Sequence, residues 1–200
     1  MEKLIFSFLV LLTSCGYHVI GFKQTSTVAV AVPYVQGDFK GFFTEELVRA
    51  LGVASNLQFD THADKQLIVK IVDENSHKIG YRYDRELDGK LKKNLLPIEN
   101  RQKIKLKIEI VNKKDQKNYF GPFEFSDDID FDYVKEDSLR DLSFIDPITG
   151  QRRTALAFSL GQLESISSAE DAAKIALYQQ AAKRLVELLD SKLTFFFEVR

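Results

Sequence analysis

The stretch Gln102–Val111, QKIKLKIEIV, has the most regular hydropathy pattern in the chain and decides its fold class. Its apolar and charged residues alternate strictly: Ile104, Leu106, Ile108 and Ile110 stand between Lys103, Lys105, Lys107 and Glu109. Because successive side chains of a β-strand point to opposite faces, this alternation predicts one dry face and one solvated face. The chain is therefore expected to contain a sheet whose dry face is covered by other elements.

Three further stretches have strand patterns: Val28–Val32 (VAVAV), Gln66–Asp73 (QLIVKIVD) and Asn118–Phe125 (NYFGPFEF). Pro33 closes the first, and Pro122 places the last at a sheet edge or a bulge, because proline donates no backbone hydrogen bond. The second strand is predicted to continue at Tyr81–Tyr83 after a kink at Gly80. The charged, turn-rich residues 84–100 are predicted to form a long hairpin connection.

Two segments have helical periodicity. Phe39–Leu51 has apolar residues at helical spacing and ends at Gly52. The second helix is predicted to start near Ser168, a good N-cap with Asp171 three residues on. Its predicted apolar stripe consists of Ile175, Tyr178, Ala182, Leu185, Val186 and Leu189, whereas Leu177 and Leu188 fall off that stripe.

These elements predict an α+β fold, a two-layer sandwich in which a four-stranded mixed sheet has two helices packed on one face. The predicted order is β-α-β-β-β-α, with an irregular insert near residues 126–165 before the last helix. Residues 28–200 are predicted to form one domain, since a chain of 200 residues with 44% apolar content is sufficient for one core.

The first residues follow the three-part pattern of a secretory signal peptide. Lys3 precedes an apolar run from Leu4 to Leu12, and small residues precede Cys15. The apolar run is about half the roughly 20 residues that span a bilayer. The string LTSC, which ends at Cys15, resembles the lipobox of bacterial lipoproteins. We expect a signal peptide at 1–14, lipidation of Cys15 and a tether at 15–27; the alternative is a buried first strand whose cysteine packs in the core.

Composition and motifs argue against several classes of function. The net charge of −1 provides no basic excess for nucleic acid, and a single cysteine cannot form an internal disulfide. His18, His62 and His77 do not have the spacing of metal ligands. The sequence contains neither a P-loop nor a G-x-S-x-G motif. We therefore expect no enzymatic activity, no metal and no cofactor.

The order of these elements resembles the LptE family of lipopolysaccharide-assembly lipoproteins, the outer-membrane partners of the LptD barrel. The matching strings are CGYHV from Cys15, VAVAVPYV from Val28, TEELVRAL from Thr44, the pair KIKLKIEIV and NYFGPFEF, and the helix AAKIALYQQAAKRLVELL from Ala172. The resemblance implies a protein anchored through acylated Cys15 to the periplasmic side of the outer membrane. It also implies binding to an LptD-like barrel and to lipopolysaccharide (LPS), which the protein would help to place in the outer leaflet. By the same likeness, Gly16 after the lipidated cysteine favours the outer membrane.

Lysine side chains are the candidate contacts for LPS. Lys103, Lys105 and Lys107 would project from one strand face about 7 Å apart, and Lys92 and Lys93 lie in the preceding segment. Lipid A contains phosphates, which ammonium groups bind through charge-assisted hydrogen bonds. The alternative interpretation is a solvated strand face whose lysines prevent edge-to-edge pairing of sheets.

Two other functions are consistent with parts of the sequence. The strand VAVAVPYV followed by a helix also resembles the start of the CsgG and TolB N-terminal type of α/β fold. A lipid-anchored secretion component of that type would self-associate into rings, whereas the LptE likeness implies a one-to-one complex with a barrel. A lipid-anchored periplasmic enzyme would need an acid, base or metal set that the sequence does not contain.

Overall fold

A computed structural model describes residues 27–86, 90–133, 143–154 and 166–198. In chain order its elements are β1 (Val28–Val30), α1 (Phe42–Leu51), β2 (Leu57–Phe59), β3 (Lys65–Arg85), β4 (Leu91–Asn112), β5 (Asn118–Asp132), β6 (Ser143–Ile145), β7 (Arg152–Thr154) and α2 (Ile166–Glu198). The predicted signal peptide, Cys15 and His18 lie outside the described residues, as does most of the predicted tether. The α+β class predicted from the sequence is confirmed.

The main sheet has the order β3-β4-β5 and is antiparallel throughout. In the middle of β4, Ile108 pairs with Val69 on one side and with Phe123 on the other. A separate parallel pair is formed by β1 and β2. The chain after β1 lies beside β3, where single parallel bridges join Ala31 to Gln66 and Gln36 to Lys70.

The predicted four-stranded mixed sheet is therefore correct only in part. Its strands are present, but the first is joined to β3 by isolated bridges rather than by a continuous ladder, and β2 is an additional strand. Pro33 lies between the two bridges and has no backbone N–H group to donate to a ladder. The sequence identified the proline as a strand end but did not show that pairing resumes beyond it.

The largest difference from prediction is the length of the central hairpin. Residues 84–100 were predicted as a connection, yet β3 extends to Arg85 and β4 begins at Leu91. Register shifts occur between Ile71 and Asp73 and again around Gly80. A bulge shifts the alternation by one residue, so the period-two pattern is interrupted although the strand continues.

The predicted insert near 126–165 also begins later than expected. Residues 126–132 belong to β5, in which Ile129 and Phe131 alternate with exposed aspartates. Within the insert, β6 and β7 pair as a short hairpin with a turn after Asp146. Residues 134–142 and 155–165 lie outside the described residues.

Both helices begin at different residues from those predicted. The first begins at Phe42 rather than Phe39, because Gly41 has a left-handed φ of 76° and residues 39–41 form a loop. The second begins at Ile166 rather than near Ser168.

The buried face of α2 also differs from the predicted stripe. Five members of that stripe are buried, but Ile175 is 48% exposed whereas Leu177 is fully buried. The buried arc of α2 is centred closer to Leu177 because the helix contacts both the sheet and α1.

The core lies between the two helices and one face of the main sheet, as predicted. The alternating residues of β4 form its floor, and Ile104, Leu106, Ile108 and Ile110 are each fully buried. Phe43 of α1 packs edge-on against Tyr178 of α2, with ring centroids 5.4 Å apart. Neither helix in the described part of the chain is long and apolar enough to cross a membrane.

Candidate ligand-binding surface

The far end of the β3–β4 hairpin is a two-stranded ribbon. The β4–β5 ladder ends at Glu99, which lies opposite Asp132, and one more backbone hydrogen bond runs from Tyr133 N to the Ile98 carbonyl. Beyond that point Tyr81–Arg85 pairs with Leu91–Pro97, and no third strand joins them among the described residues. The ribbon continues two strands of the main sheet, and the side chains on its two faces decide what it can associate with.

One face of this ribbon is apolar and exposed. Tyr81 pairs with Pro97, and Tyr83 pairs with Leu95. Directly opposite residues of an antiparallel pair project from the same face, and so do residues two apart in a strand. Tyr81 and Tyr83 are each 53% exposed and Leu95 is 55% exposed. A row of large apolar side chains at this exposure marks an interaction surface.

The other face of the ribbon contains the buried Leu96 and, closer to the tip, polar residues. Asp84 accepts hydrogen bonds from Lys92 Nζ at 3.0 Å and from Asn94 Nδ2 at 3.3 Å. Lys93, two residues from Leu95 in β4, lies on the apolar face, and Lys90 is exposed close to the tip of the ribbon. The ribbon therefore combines cationic groups with an exposed apolar face, and this combination matches a ligand that has both anionic and apolar parts.

The lysine row on β4 has different surroundings. Its members face away from the helices, and Lys103 and Lys107 are exposed as predicted. Acidic residues of the neighbouring strands lie opposite the row: Asp73, Glu124 and Asp128. Lys105 Nζ lies 2.8 Å from a carboxylate oxygen of Glu124. On this solvated face, acidic residues offset much of the charge that an anionic ligand would need.

The structure does not bring the two lysine groups together. Lys93 and Lys103 lie on the same strand, ten residues apart, which corresponds to a separation of roughly 30 Å. A single phosphate group cannot contact both. The candidate site predicted from the sequence is therefore two separate surfaces: Lys92 and Lys93 lie on the ribbon with the exposed tyrosines, whereas the lysine row adjoins Val72, which is 48% exposed.

A polar cluster that the sequence analysis missed joins α2 to the inner face of the sheet. Glu74 of β3 accepts hydrogen bonds from the Tyr178 hydroxyl at 3.1 Å and from Gln102 Nε2 at 3.4 Å. Lys174 Nζ lies 2.7 Å from the same carboxylate. Burial, and then the charge of Glu74, raise the pKa of Tyr178 to about 12. The signal in the sequence was an acidic residue placed directly after the apolar strand QLIVKIVD.

A buried acid lies across β4 from the partly buried Glu74. Asp127 is 4% exposed, and its Oδ1 atom is 2.5 Å from Arg184 Nη1 and 3.1 Å from Gln180 Nε2 of α2. Nearby, Asn100 Oδ1 and Gln102 Oε1 are buried and have no hydrogen-bond donor among the described residues. The contacts of Asp127 help to fix where α2 lies on the sheet, because a buried charge is tolerated only when it is paired.

Metal chemistry has no matching arrangement in the part of the chain that the structure describes. No group of three histidine, cysteine, aspartate or glutamate side chains could hold a metal there. His62 and His77 are both exposed, the first in the turn between β2 and β3 and the second in β3. The surfaces described above are suited to binding.

No protein-family model matches the chain, and no curated protein is similar to it in sequence. Solved structures with a similar fold include the rare lipoprotein B from Shewanella oneidensis, at 14% identity over 84% of this chain and 98% of that one, with a TM-score of 0.44. A minor lipoprotein from Acinetobacter baumannii has 6% identity over 84% and 92%, with a TM-score of 0.45. The uncharacterized lipoprotein B from Nitrosomonas europaea has 10% identity over 87% and 86%, with a TM-score of 0.41. Identities this low assign no functional residue of those proteins to this chain.

Proposed function

We propose that this chain is a non-catalytic lipoprotein of the outer membrane that binds LPS and an LptD-like barrel and assists the delivery of LPS to the outer leaflet. The lipobox-like string at Cys15 supports the lipid anchor. Anchoring follows from transfer energetics, since each buried methylene contributes about 0.8 kcal/mol and two or three acyl chains together make release negligible. The order of elements that resembles the LptE family supports the choice of membrane and partner.

The observation that most directly supports LPS as the ligand is the amphipathic end of the β3–β4 hairpin. Lipid A presents phosphates next to acyl chains. Tyr83 and Leu95 offer apolar contact on one face of the ribbon. Lys93 lies on the same face, and Lys92, on the other face, is paired with Asp84. Lys103, Lys105 and Lys107 are assigned a secondary role, because they lie roughly 25 Å or more along β4 from Leu95, away from the exposed tyrosines of the ribbon.

A pair of hairpin variants tests this assignment in the purified, lipidated protein held in detergent. We expect Lys92→Gln with Lys93→Gln to weaken LPS binding mainly at low salt, since screening already reduces this contribution at high salt. Tyr83→Ser with Leu95→Ser should weaken binding at every salt concentration. The matched control is Lys103→Gln with Lys107→Gln, which removes two exposed charges from the acid-flanked face.

The three variants give distinct outcomes. Loss of binding only in the control would move the LPS contact from the hairpin to the lysine row. Unchanged binding in all three would contradict LPS recognition by either surface. Circular dichroism of each variant separates lost binding from lost folding.

Delivery of LPS, as distinct from binding, requires a test in cells. Depletion of the protein should reduce LPS at the cell surface and slow maturation of the barrel partner. Normal surface LPS after depletion would exclude the proposed role. Purification from outer membranes should yield a complex with one large barrel, whereas a homo-oligomeric ring would support the CsgG-like or TolB-like alternative.

A further inference from the structure

The loop between β1 and α1 presents one of the most exposed aromatic residues in the described part of the chain. Phe39 is 98% exposed at its apex. Tyr34, Phe42 and Ile175 lie in the same region and are 59%, 46% and 48% exposed. Keeping a phenylalanine in water rather than burying it costs about 1.5–3 kcal/mol. A ring this exposed on a loop is available for contact with a partner.

The loop is held in one conformation by contacts at its base. Asp38 is 2% exposed, and its Oδ2 atom accepts hydrogen bonds from Thr44 N and Thr44 Oγ1, both at 2.8 Å. The Tyr34 hydroxyl donates to the backbone carbonyl of Asp38. Gly37 and Gly41 have φ angles of 91° and 76°, which favour glycine and allow the tight reversal on either side of Phe39. Because the two ends of the loop are held in place, the Phe39 ring loses little conformational entropy when it binds a partner.

Beside the loop is a cleft of about 450 Å³. Its apolar side includes Phe42 and Ile175, and its charged side includes Lys40, Glu74 and Lys174. Lys40 is exposed and adjoins Phe39 in sequence. Aromatic rings and lysine side chains placed together are characteristic of segments at a membrane–water interface, where the ring enters the apolar layer and the ammonium group stays among headgroups.

The small size of this surface favours a lipid partner over a protein. A stable protein interface buries about 800 Å² on each side, far more than one loop supplies. A single inserted ring binds a bilayer only weakly on its own. Attached to a lipid anchor, however, it encounters the same bilayer at high effective concentration, so that even a weak contact becomes populated.

The length of the tether allows this contact. Residues 16–27 separate the predicted lipid attachment from β1, and twelve residues span at most about 40 Å. From Val28 the chain extends along the sheet to Gln36, a distance of roughly 30 Å at strand geometry. The Phe39 loop can therefore reach the surface that holds the anchor, although it lies at the opposite end of β1 from the tether.

We propose that Phe39 and Lys40 form a second membrane contact, in which the Phe39 ring inserts into the bilayer that holds the lipid anchor and thereby fixes the orientation of the domain. This inference rests on the proposed anchor at Cys15. With the loop against the membrane, the domain is held at two points instead of turning freely about its tether. The end of the molecule that contains the loop then faces the bilayer.

The absence of tryptophan from the chain provides a direct test. Phe39→Trp places a single indole fluorophore at the apex of the loop. Val53→Trp is the matched control, because Val53 is 85% exposed just beyond the other end of α1. Each lipidated variant is reconstituted through its own anchor into vesicles of phosphatidylethanolamine and phosphatidylglycerol, with and without brominated acyl chains.

We expect brominated lipid to abolish most of the indole emission of the Phe39→Trp variant, and we expect that emission to shift to shorter wavelength in unbrominated vesicles. The emission of the Val53→Trp variant should be unchanged by either lipid. Incorporation of the Phe39→Trp variant into vesicles without quenching overturns the inference and leaves the anchor intact. Failure of both variants to enter vesicles overturns the anchor and the inference with it.

Contact with a second copy of the chain is a separate outcome of the same experiment. It would appear as an emission of the Phe39→Trp variant that shifts only as protein concentration rises, with or without brominated lipid. That result would also overturn the inference.

Discussion

At the scale of single residues, two carboxylates under α2 form polar contacts between the helix and the sheet. Glu74 is bound by Lys174 and Tyr178, while Asp127 is bound by Arg184. Both acids lie on the inner face, on the strands that flank β4. An apolar interface alone would allow a helix to slide or rotate, whereas charged pairs at fixed places restrict it to one register.

The environment of Tyr178 predicts that the folded state loses stability at alkaline pH. Burial, and then the charge of Glu74, raise its pKa to about 12, so the folded state favours the neutral phenol. Its contribution to stability is full below about pH 10, the value for an unfolded tyrosine, and is lost as pH rises from about 10 to about 12. Tyr178→Phe should cost about 1 kcal/mol near pH 8 through the lost hydrogen bond to Glu74.

Above about pH 11 the same substitution should lower the free energy of unfolding by less, or should raise it. At this pH an unfolded tyrosine is ionised, whereas the folded unsubstituted protein holds the phenol in its neutral form. Urea unfolding of both proteins from about pH 8 to about pH 11.5 measures the difference in free energy. A difference that stays constant over this range would mean that the phenol does not titrate differently in the folded state.

At the scale of elements, the extent of the β3–β4 hairpin and the buried face of α2 both differ from the sequence prediction, and the reason is the same in both cases. In each case a long regular element meets more than one environment along its length. The β3–β4 hairpin begins under the helices and ends as a two-stranded ribbon, and its alternation is shifted by bulges near Val72 and Gly80. Helix α2 packs against the sheet and against α1, which widens and rotates its buried face.

The buried face of α2 is rotated relative to the stripe predicted from the sequence, and this difference gives opposite predictions for two residues in its first half. Leu177 is fully buried, so Leu177→Ala should destabilise the fold by about 2–5 kcal/mol. Ile175 is 48% exposed, and Ile175→Ala should cost less than about 1 kcal/mol. Chemical denaturation of the two variants compares them directly. A larger cost at Ile175 would support the stripe predicted from the sequence instead.

At the scale of the whole molecule, the two-layer arrangement separates the surfaces available for binding. The lysine row faces away from the helices, the amphipathic ribbon extends from one end of the main sheet, and the Phe39 loop joins β1 to α1. These surfaces allow one chain to contact a lipid surface and a ligand at the same time. An anchor at Cys15 would keep the chain at the membrane.

Cys15→Ala tests the anchor. The variant should fold, remain uncleaved at that site and fail to incorporate a fatty-acid analogue, because the thiol that accepts the lipid is absent. Ser14→Ala, which keeps a small residue before the cysteine, should be labelled normally. Normal labelling of Cys15→Ala would contradict lipidation at this site.

Much of the fold could be predicted because the pattern of burial follows from local periodicity. The alternation of Gln102–Val111 defined a strand and its dry face, and the pattern of the last segment defined a helix packed on that face. The Cys15 signal is likewise a local string, which can be read without a fold. Each of these features depends on residues that are close in the chain.

The rest was decided by contacts between distant residues. Whether residues 84–100 form a loop or a strand depends on the partner strand, and a bulge hides that pairing from a period-two search. The separation of the two lysine groups, the acids opposite the lysine row and the Glu74–Tyr178 contact all arise from register across the sheet and helix packing. By itself the sequence determined the layers, the dry face and the expected anchor. Only the tertiary structure decided which charges are compensated and which apolar side chains remain exposed, because both depend on neighbours that are far away in the chain.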